Sequence, residues 1–166
     1  KKVIDHLKKK NVILTQGHNV SKFEEEWSKW LGVKYSVFLN SGSSANLLTI
    51  NILRNLFKKK NIIVTALTWS SDISSVIQNN LKPIFVDINL NNLSMNINQV
   101  IKKIDKNTLA VFITHAQGFN GLSNRLLKEL KRKKVILIED VCESHGAKFN
   151  GKKLGTFGLI SNFSFY

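Results

Sequence analysis

A glycine and three serines lie where a short apolar run gives way to a helical pattern, which is a place where a protein can bind an anion. The segment is Asn40-Ser41-Gly42-Ser43-Ser44-Ala45, and the helical pattern continues to about Lys58. Backbone N–H groups and the positive end of the helix dipole attract anions there, and glycine permits close approach. The residues leave two interpretations open, a phosphate site or a serine-capped helix with nothing bound. The segment has neither the Gly-Lys-Ser/Thr of a Walker loop nor the Gly-x-Gly-x-x-Gly of a dinucleotide site.

An aromatic residue and a pair of carboxylates also follow apolar runs. Trp69, in Thr68-Trp69-Ser70-Ser71, either stacks on a flat ligand or packs in the core. Glu139 and Asp140 come directly after the apolar residues 135–138. Because side chains alternate along a strand, we expect only one of these two carboxylates to face a ligand crevice.

Together these groups suit a planar, positively chargeable ring that carries a phosphate. Pyridoxal 5'-phosphate is such a ligand. Its phosphate is bound by a helix N-terminus, its ring by a stacking partner, and its pyridine nitrogen stays protonated beside a carboxylate.

Two further residues could do other chemistry. We interpret Cys142 as a small buried residue rather than a nucleophile, because nothing in the sequence assigns it a base. His145 with Asp140 or Glu143 could bind a metal, but a third convergent ligand is lacking. We therefore predict no metal site.

The composition narrows the class of protein. The 166 residues carry 25 Lys+Arg against 11 Asp+Glu, a net charge of +14. Only Arg54, Arg125 and Arg132 are arginine, whereas specific nucleic-acid recognition relies on the planar fork of arginine. We interpret the charge as a drift toward lysine and predict no nucleic-acid partner. Because no apolar stretch reaches about 20 residues, we expect a cytoplasmic protein without membrane insertion.

Alternating strands and helices must position these groups. Apolar runs predict strands at 35–39, 61–65, 83–87, 109–114, 135–138 and 162–166, and helical periodicity predicts helices at 45–58, 72–78, 97–104 and 124–131. Such alternation indicates an α/β domain with a mostly parallel sheet between two helical layers, a three-layer α/β/α fold. The capping-box spacing of Ser21 and Glu24 precedes a helix that ends at Gly32. We therefore assign residues 1–32 to an amino-terminal helical segment and residues 33–166 to the α/β domain. In such sheets, ligands bind at the carboxyl ends of the strands.

Several segments, taken in their order and spacing, resemble one known family. The chain resembles the fold-type I pyridoxal-phosphate sugar aminotransferases and dehydratases of the DegT/StrS group over nearly its whole length. The matching segments are Gly17-His18 to Gly32-Val33, Asn40-Ser41-Gly42-Ser43-Ser44-Ala45, Thr68-Trp69, His115-Ala116-Gln117-Gly118, Glu139-Asp140-Val141-Cys142-Glu143-Ser144-His145-Gly146-Ala147, Gly151-Lys152-Lys153-Leu154-Gly155-Thr156-Phe157-Gly158 and Phe163-Ser164-Phe165.

This resemblance implies the large domain of an aspartate aminotransferase-like, pyridoxal-phosphate-dependent transferase. It places the cofactor phosphate on Gly42, Ser43 and Ser44, with a further contact from Ser164.

The resemblance assigns the ring of the cofactor to three other residues. Trp69 would stack on the ring, and Asp140 would pair with the pyridine nitrogen. Glu143 stands where many family members carry glutamine near the phenolic oxygen of the cofactor. An ionised carboxylate only accepts hydrogen bonds, so Glu143 would either be protonated or accept from a protonated oxygen.

The reactive residue of the family falls just beyond the position of Tyr166. It is a lysine in the aminotransferases and a histidine in the 3-dehydratases. Because the chain begins at Lys1 and stops in an aromatic run, we expect an excerpt of a longer protein with no catalytic residue inside it. Glu143-Ser144-His145 and Ser164-Phe165-Tyr166 look more like the histidine-bearing branch of lipopolysaccharide biosynthesis.

The resemblance therefore implies an enzyme that acts on nucleotide-linked keto sugars, as an aminotransferase or as a 3-dehydratase. Its product would enter lipopolysaccharide, O-antigen or other surface polysaccharide. An amino-acid amino donor and a homodimer are implied as well. The residues leave one alternative of another class, a non-catalytic α/β module that binds a nucleotide or nucleic acid through Ser43, Ser44 and the lysine surface.

Overall fold

A five-stranded parallel sheet forms the centre of the computed structural model, which describes residues 1–165. The sheet order is β2-β1-β3-β4-β7, and β5 pairs with β6 in a small antiparallel hairpin. The strands are β1 (Asn61–Thr65), β2 (Lys82–Val86), β3 (Thr108–Thr114), β4 (Ile136–Asp140), β5 (Lys148–Phe149), β6 (Lys152–Lys153) and β7 (Ile160–Asn162). Because β2 and β3 flank β1 on opposite sides, the chain reverses its direction across the sheet between β1 and β3.

Of the α-helices in the described residues, the last four along the chain cover the two faces of this sheet. The helices are α1 (Lys2–Leu7), α2 (His18–Leu31), α3 (Gly42–Leu56), α4 (Ser70–Gln78), α5 (Ile97–Lys103) and α6 (Asn124–Lys133). Helices α3 and α4 pack on one face, where Ile50 and Val76 meet Val64 and Phe112 of the sheet. Helices α5 and α6 cover the other face, where the core includes Val100, Leu126, Ile63 and Leu137. The predicted three-layer α/β/α fold is confirmed.

The strands alternate between these two cores. Every residue of β3 is buried, as expected for a strand with helices on both sides. Residues at even positions near its end, such as Phe112, face α3 and α4, and odd ones, such as Ile113, face α5 and α6. This alternation decides which strand-end side chains share a face.

Several element boundaries differ from the predictions. Residues 35–39 were expected to be a strand, but in the described residues they pair with no other strand, and Tyr35 and Val37 are 75% and 73% exposed. The last strand is Ile160–Asn162, earlier than the predicted 162–166, and Tyr166 lies outside the described residues. Strand β4 extends through Asp140, because its pairing with β3 continues as far as Thr114.

Two compact units divide the chain, Lys1–Phe38 and a second that begins at Leu39. The first contains α1 and α2. Helix α2 begins at His18 with Gly17 as its N-cap, so the predicted capping box is wrong and Ser21 lies inside the helix. The helix ends at Gly32, whose φ of 87° is the left-handed conformation that glycine favours. The domain boundary after residue 32 stays a prediction.

The second unit contains all of the strands named above and helices α3 to α6. Nowhere within residues 1–165 is there a helix with the length and apolar character needed to cross a membrane.

Candidate functional site

The first turn of α3 lies beside the segment that follows β7. The Ser41 hydroxyl accepts the N–H of Ser44 at 3.1 Å, so the serine cap is formed. A β-carbon built on Gly42 would stand 2.9 Å from the Cβ of Ser164 and 3.6 Å from the Sγ of Cys142. Only glycine permits this close approach. The structure therefore brings Gly42 and Ser164, two residues predicted to hold phosphate, together at a helix N-terminus, with Ser43 exposed beside them.

Asp140 is the last residue of β4 and points to the face covered by α3 and α4. Only 4% of it is exposed, and its Oδ1 accepts the N–H of Cys142 at 2.9 Å. A carboxylate is thus held almost out of water at the carboxyl edge of a central strand. This position is where ligands bind in parallel α/β sheets.

A second carboxyl group, which was not predicted, lies beside the end of β3, where Thr114 is paired with Asp140 of β4. Asp72, in the first turn of α4, is 1% exposed. Its Oδ1 accepts the Asn46 amide at 2.7 Å, and its Oδ2 accepts the Thr114 hydroxyl at 2.9 Å and the Thr68 hydroxyl. The cluster lies at the carboxyl ends of β1 and β3, between which the chain reverses its direction across the sheet. Crevices form at such a point in parallel α/β sheets.

The environment of Asp72 opposes its ionisation. Burial, followed by the nearby charge of Asp140, raises the pKa of Asp72 to about 8, against the weaker opposing effect of the Thr68 and Thr114 hydroxyls. Two carboxylates side by side in a buried site cannot both ionise cheaply. The surroundings of Asp72 therefore favour its neutral form.

Trp69 is the N-cap residue of α4, one helical turn from Asp72. Its carbonyl oxygen accepts the Asp72 N–H at 3.0 Å, and its side chain is 62% exposed. The alternative interpretation of Trp69 as a core residue is therefore wrong. A large, solvent-exposed aromatic residue thus begins the helix that carries Asp72.

Glu143 is tied to the turn that follows β3. Its Oε2 accepts the N–H of Gln117 at 2.9 Å, and Gln117 has a φ of 55°. The neighbouring Ser144 is buried, accepts the Gly118 N–H at 3.1 Å and donates to the His115 carbonyl at 2.5 Å. These bonds fix the loop after β4 against the loop after β3.

Glu139 faces the opposite side of the sheet from Asp140, as strand alternation predicts. The fully buried Glu139 accepts the N–H groups of Gly155, Phe157 and Gly158 at 2.6–2.8 Å, and lies 3.2 Å from the Nε2 of His115. Although burial raises the pKa of Glu139, the hydrogen bonds from His115, Gly155 and Gly158 outweigh it and lower that pKa. The His115 Nδ1 accepts a backbone N–H at 3.1 Å, so the ring proton lies on Nε2 and is donated to Glu139.

Cys142 and His145 have surroundings that do not favour reactivity. Burial, and then the charge of Asp140, raises the pKa of the Cys142 thiol. Burial lowers the pKa of His145, whose ring packs 5.0 Å from Phe165 and 5.5 Å from Phe163. Residues 1–165 contain no group of three His, Cys, Asp or Glu side chains placed to hold a metal ion.

Sequence reasoning missed Asp72 and its partners Asn46 and Thr114. An acidic residue in the first turn of a helix is usually explained by the helix dipole, and α4 gave no other signal. Only the folded chain brings Asp72 to Thr114 at the end of β3, the residue that is paired with Asp140.

Comparisons with known proteins agree on one family. The model of the DegT/DnrJ/EryC1/StrS aminotransferase family matches residues 1–166. The chain is 37% identical over 157 residues to GDP-4-keto-6-deoxy-D-mannose 3-dehydratase of Escherichia coli O55:H7, covering 92% of this chain and 40% of that protein. It is 31% identical over 155 residues to GDP-perosamine synthase of Vibrio cholerae, covering 93% of this chain and 42% of that protein.

A solved structure of such a relative superposes on the chain. It is E. coli GDP-4-keto-6-deoxy-D-mannose-3-dehydratase with bound hydrated PLP, with a TM-score of 0.86 and 37% identity. The match covers 92% of this chain and 40% of that chain. The chain thus spans about 40% of the length of the dehydratase that it matches.

Proposed function

Because the chain belongs to the DegT/DnrJ/EryC1/StrS aminotransferase family, we propose that it forms part of the cofactor domain of a pyridoxal-phosphate enzyme that acts on nucleotide-linked keto sugars. The observation that carries this proposal is Asp140. It is a buried carboxylate at the carboxyl edge of a central strand, with the exposed ring of Trp69 one helical turn from its neighbour Asp72.

The residues present fit pyridoxal 5'-phosphate. Gly42, Ser43, Ser44 and Ser164 would hold the phosphate, because the Gly42 backbone approaches Ser164 closely at a helix N-terminus. Trp69 would stack on the ring. When bound, the cofactor supplies an electron sink that stabilises negative charge next to the substrate carbon under attack.

Asp140 would keep a proton on the ring nitrogen. A carboxylate held beside a pyridine nitrogen favours its protonated form. Burial strengthens the effect, because water screens the charge poorly at this depth. The Cys142 N–H, 2.9 Å from Oδ1, holds one carboxylate oxygen in place.

Glu143 would act near the phenolic oxygen of the cofactor. Its Oε2 accepts the Gln117 N–H at 2.9 Å, which holds the carboxyl group against the turn after β3. We propose that Glu143 accepts a hydrogen bond from a protonated oxygen of the cofactor there.

Among the reactions of the family, we favour removal of a sugar 3-hydroxyl over simple amino transfer. The relative with 37% identity is a GDP-sugar 3-dehydratase, whereas the GDP-perosamine synthase shares 31%. Glu143-Ser144-His145 supports the same choice. Transfer of an amino group to the keto sugar, with an amino acid as donor, is the second candidate.

The two reactions are separated by the product. The full-length protein is incubated with pyridoxal phosphate, glutamate and GDP-4-keto-6-deoxymannose, and the sugar is analysed by mass spectrometry and NMR. We expect a product that has lost its 3-hydroxyl. A product with an amine in place of the keto oxygen supports the second candidate, and no conversion of any GDP-linked or dTDP-linked keto sugar would contradict both. In that case the non-catalytic binding module is the remaining candidate. Binding of nucleotides and of nucleic acid to the full-length protein tests it.

We also propose a homodimer, a cytoplasmic location and a role in surface polysaccharide synthesis, of which the first and the third rest on the family resemblance. Light scattering of the full-length protein tests the first, with a mass of twice the chain expected and a single-chain mass contradicting it. Cell fractionation tests the second. Loss of the polysaccharide on deletion of the gene tests the third.

A further inference from the structure

We propose that Asn46 is a positioning residue: it fixes the helix that begins at Trp69 relative to the segments that would hold the cofactor phosphate. This inference rests on the proposed function, because it gives Asn46 a role toward the cofactor. The hydrogen bonds that carry it lie within the chain itself, so they can be tested without any cofactor.

Asn46 joins three elements of the proposed site. It is buried in the second turn of α3, the helix whose first turn would hold phosphate. Its Oδ1 accepts the Asn162 amide at 2.7 Å, and its Nδ2 donates to the Asp72 Oδ1 at 2.7 Å and to the Ser71 hydroxyl at 3.0 Å. Asn162 ends β7, two residues before Ser164, whereas Ser71 and Asp72 lie in the first turn of α4. One side chain thus ties α3, the end of β7 and the start of α4 together.

The donors and acceptors of this network are matched in direction. Because Asp72 accepts at Oδ1, Asn46 turns its NH₂ group toward Asp72 and its carbonyl oxygen toward Asn162. The Thr49 hydroxyl donates to the Asn162 carbonyl oxygen at 2.9 Å, which leaves the NH₂ group of Asn162 facing Asn46. Position 46 therefore needs a donor and an acceptor on one short side chain, which asparagine supplies.

The two ends of the network flank Asp140. Asn162 of β7 and Thr114 of β3 are both paired with Asp140 in the register of the sheet. The Thr114 hydroxyl donates to the Asp72 Oδ2 at 2.9 Å. The hydrogen bonds therefore run from the end of β3 through Asp72 and Asn46 to the end of β7. They join the two strand ends on either side of the carboxyl group that we propose for the ring nitrogen.

This network has a use at the site. The carbonyl oxygen of Trp69 accepts the Asp72 N–H at 3.0 Å, so the position of Trp69 follows that of Asp72. Buried polar groups are costly to leave without partners, which makes the network hard to distort. A ligand that is held at both its phosphate and its ring binds well only when the two contacts have the right separation. Asn46 sets that separation.

Two substitutions reverse one hydrogen bond of the network while its shape is kept. Asn46→Asp retains an acceptor toward Asn162 but places a second acceptor against the Asp72 Oδ1. Adding Asp72→Asn restores the pair, because the new amide can donate to position 46 while its oxygen accepts from Thr68 and Thr114. The double variant therefore has the same number of hydrogen bonds as the parent protein.

Thermal unfolding of the cofactor-free, full-length protein tests this bond. We choose pH 9, because burial and Asp140 raise the pKa of Asp72 to about 8 and a proton would relieve the contact of two carboxyl groups. Asn46→Asp should lower the midpoint by about 3 °C, and the double variant should recover most of this loss. The control Asn55→Asp, at an exposed position of α3 whose amide donates to Asn51 of the same helix, should unfold as the parent does. A double variant no more stable than Asn46→Asp would overturn the inference.

Ligand binding separates a positioning role from a purely structural one. Asn46→Asp retains the acceptor toward Asn162, so the phosphate half of the site should stay in place while α4 shifts. We expect its affinity for pyridoxal phosphate, followed by absorbance, to fall about 10-fold. Its affinity for inorganic phosphate, followed by phosphorus NMR, should be unchanged, and the double variant should regain affinity for the cofactor. An equal loss for both ligands, or no loss for pyridoxal phosphate, would refute the positioning role.

The unmodified protein separates the failure of this inference from that of the proposed function. If it binds no pyridoxal phosphate, the proposed function fails and the positioning role fails with it, whatever the thermal midpoints show. If it binds the cofactor and Asn46→Asp binds it equally well, only the role of Asn46 is wrong.

Discussion

Glu139 and Asp140 are neighbours in β4, but their carboxyl groups lie on opposite faces of the sheet and have different partners. Asp140 is left facing the carboxyl edge of the sheet beside Asp72. Glu139 accepts three backbone N–H groups and the His115 Nε2–H, which bind the loop of residues 155–158 to β4. Of the two carboxyl groups, Glu139 therefore binds the backbone of a loop, and Asp140 is the one that we propose for the cofactor.

The first prediction concerns Glu139→Gln. Oε1 accepts from Phe157 and Gly158, and Oε2 accepts from Gly155 and His115. In either orientation, the NH₂ group of the new glutamine side chain faces N–H donors. Buried donors are then left without acceptors. We expect the free energy of unfolding, measured with urea, to fall by about 2–4 kcal/mol.

Glu26→Gln, at an exposed position of α2, is the matched control and should leave the urea midpoint unchanged. The pKa of Glu139 is lowered by its hydrogen bonds, so its contribution is full above the unfolded value of 4.5 and is lost as pH falls through the folded value. The difference between the parent and Glu139→Gln should therefore narrow in acid. A constant difference would contradict this role.

The second prediction concerns Gly42→Ala. The added methyl group would stand 2.9 Å from the Cβ of Ser164 and push apart two segments that would hold phosphate. Overpacking of this kind costs about 1–3 kcal/mol, so the dissociation constant for pyridoxal phosphate, measured by fluorescence titration, should rise about 10-fold. Arg54→Ala, at the exposed end of the same helix, should bind as the parent does. If Gly42→Ala binds the cofactor as tightly as the parent does, the close approach of Gly42 to Ser164 has no role in holding the phosphate.

At the scale of elements, the loop after β6 is packed against the edge of β4. A β-carbon on Gly158 would lie 2.6 Å from the carbonyl oxygen of Leu137, which is backbone and cannot move aside. Gly151, in the turn between β5 and β6, has a φ of 77° but nothing within 4 Å of its β-carbon position. Glycine is thus required at position 158 by the nearby backbone of β4 and at position 151 by the left-handed φ.

The third prediction compares the alanine variants of these glycines by thermal unfolding. Gly151→Ala should cost only the backbone strain of a left-handed residue, about 1–2 kcal/mol. Gly158→Ala should cost more, because it also separates the loop from β4 and weakens the Glu139 bonds. A smaller cost for Gly158→Ala than for Gly151→Ala would contradict the packing of this loop.

The element pattern was largely predictable, and the reason is physical. Apolar strands covered on both faces and helices between them leave a periodic signal, so β1 at residues 61–65 was predicted at its observed position. Residues 35–39 have the same apolar character but no strand beside them in the described residues, because pairing depends on neighbours that a local pattern does not specify. Asp72 was missed for the same reason, because its position beside the strand ends cannot be read from the local pattern of α4.

At the scale of the whole molecule, the net charge of +14 is carried almost entirely by lysine. Exposed lysines attract anions such as nucleotide sugars without recognising them specifically. The groups that would bind the cofactor specifically are instead few: the buried Asp140 and the close approach of Gly42 to Ser164. The chain spans about 40% of the length of the dehydratase that it matches.

The most direct measurement is the absorbance of pyridoxal phosphate, between roughly 320 and 430 nm, as it is titrated with the full-length protein and with Asp140→Asn. We expect the parent protein to bind the cofactor and change its spectrum. Asp140→Asn should fold with an unchanged thermal midpoint but lose the protonated-ring spectrum and most of the affinity. No spectral change with the parent, or identical spectra and affinities for the two proteins, would contradict the assignment of Asp140 to the ring nitrogen of the cofactor.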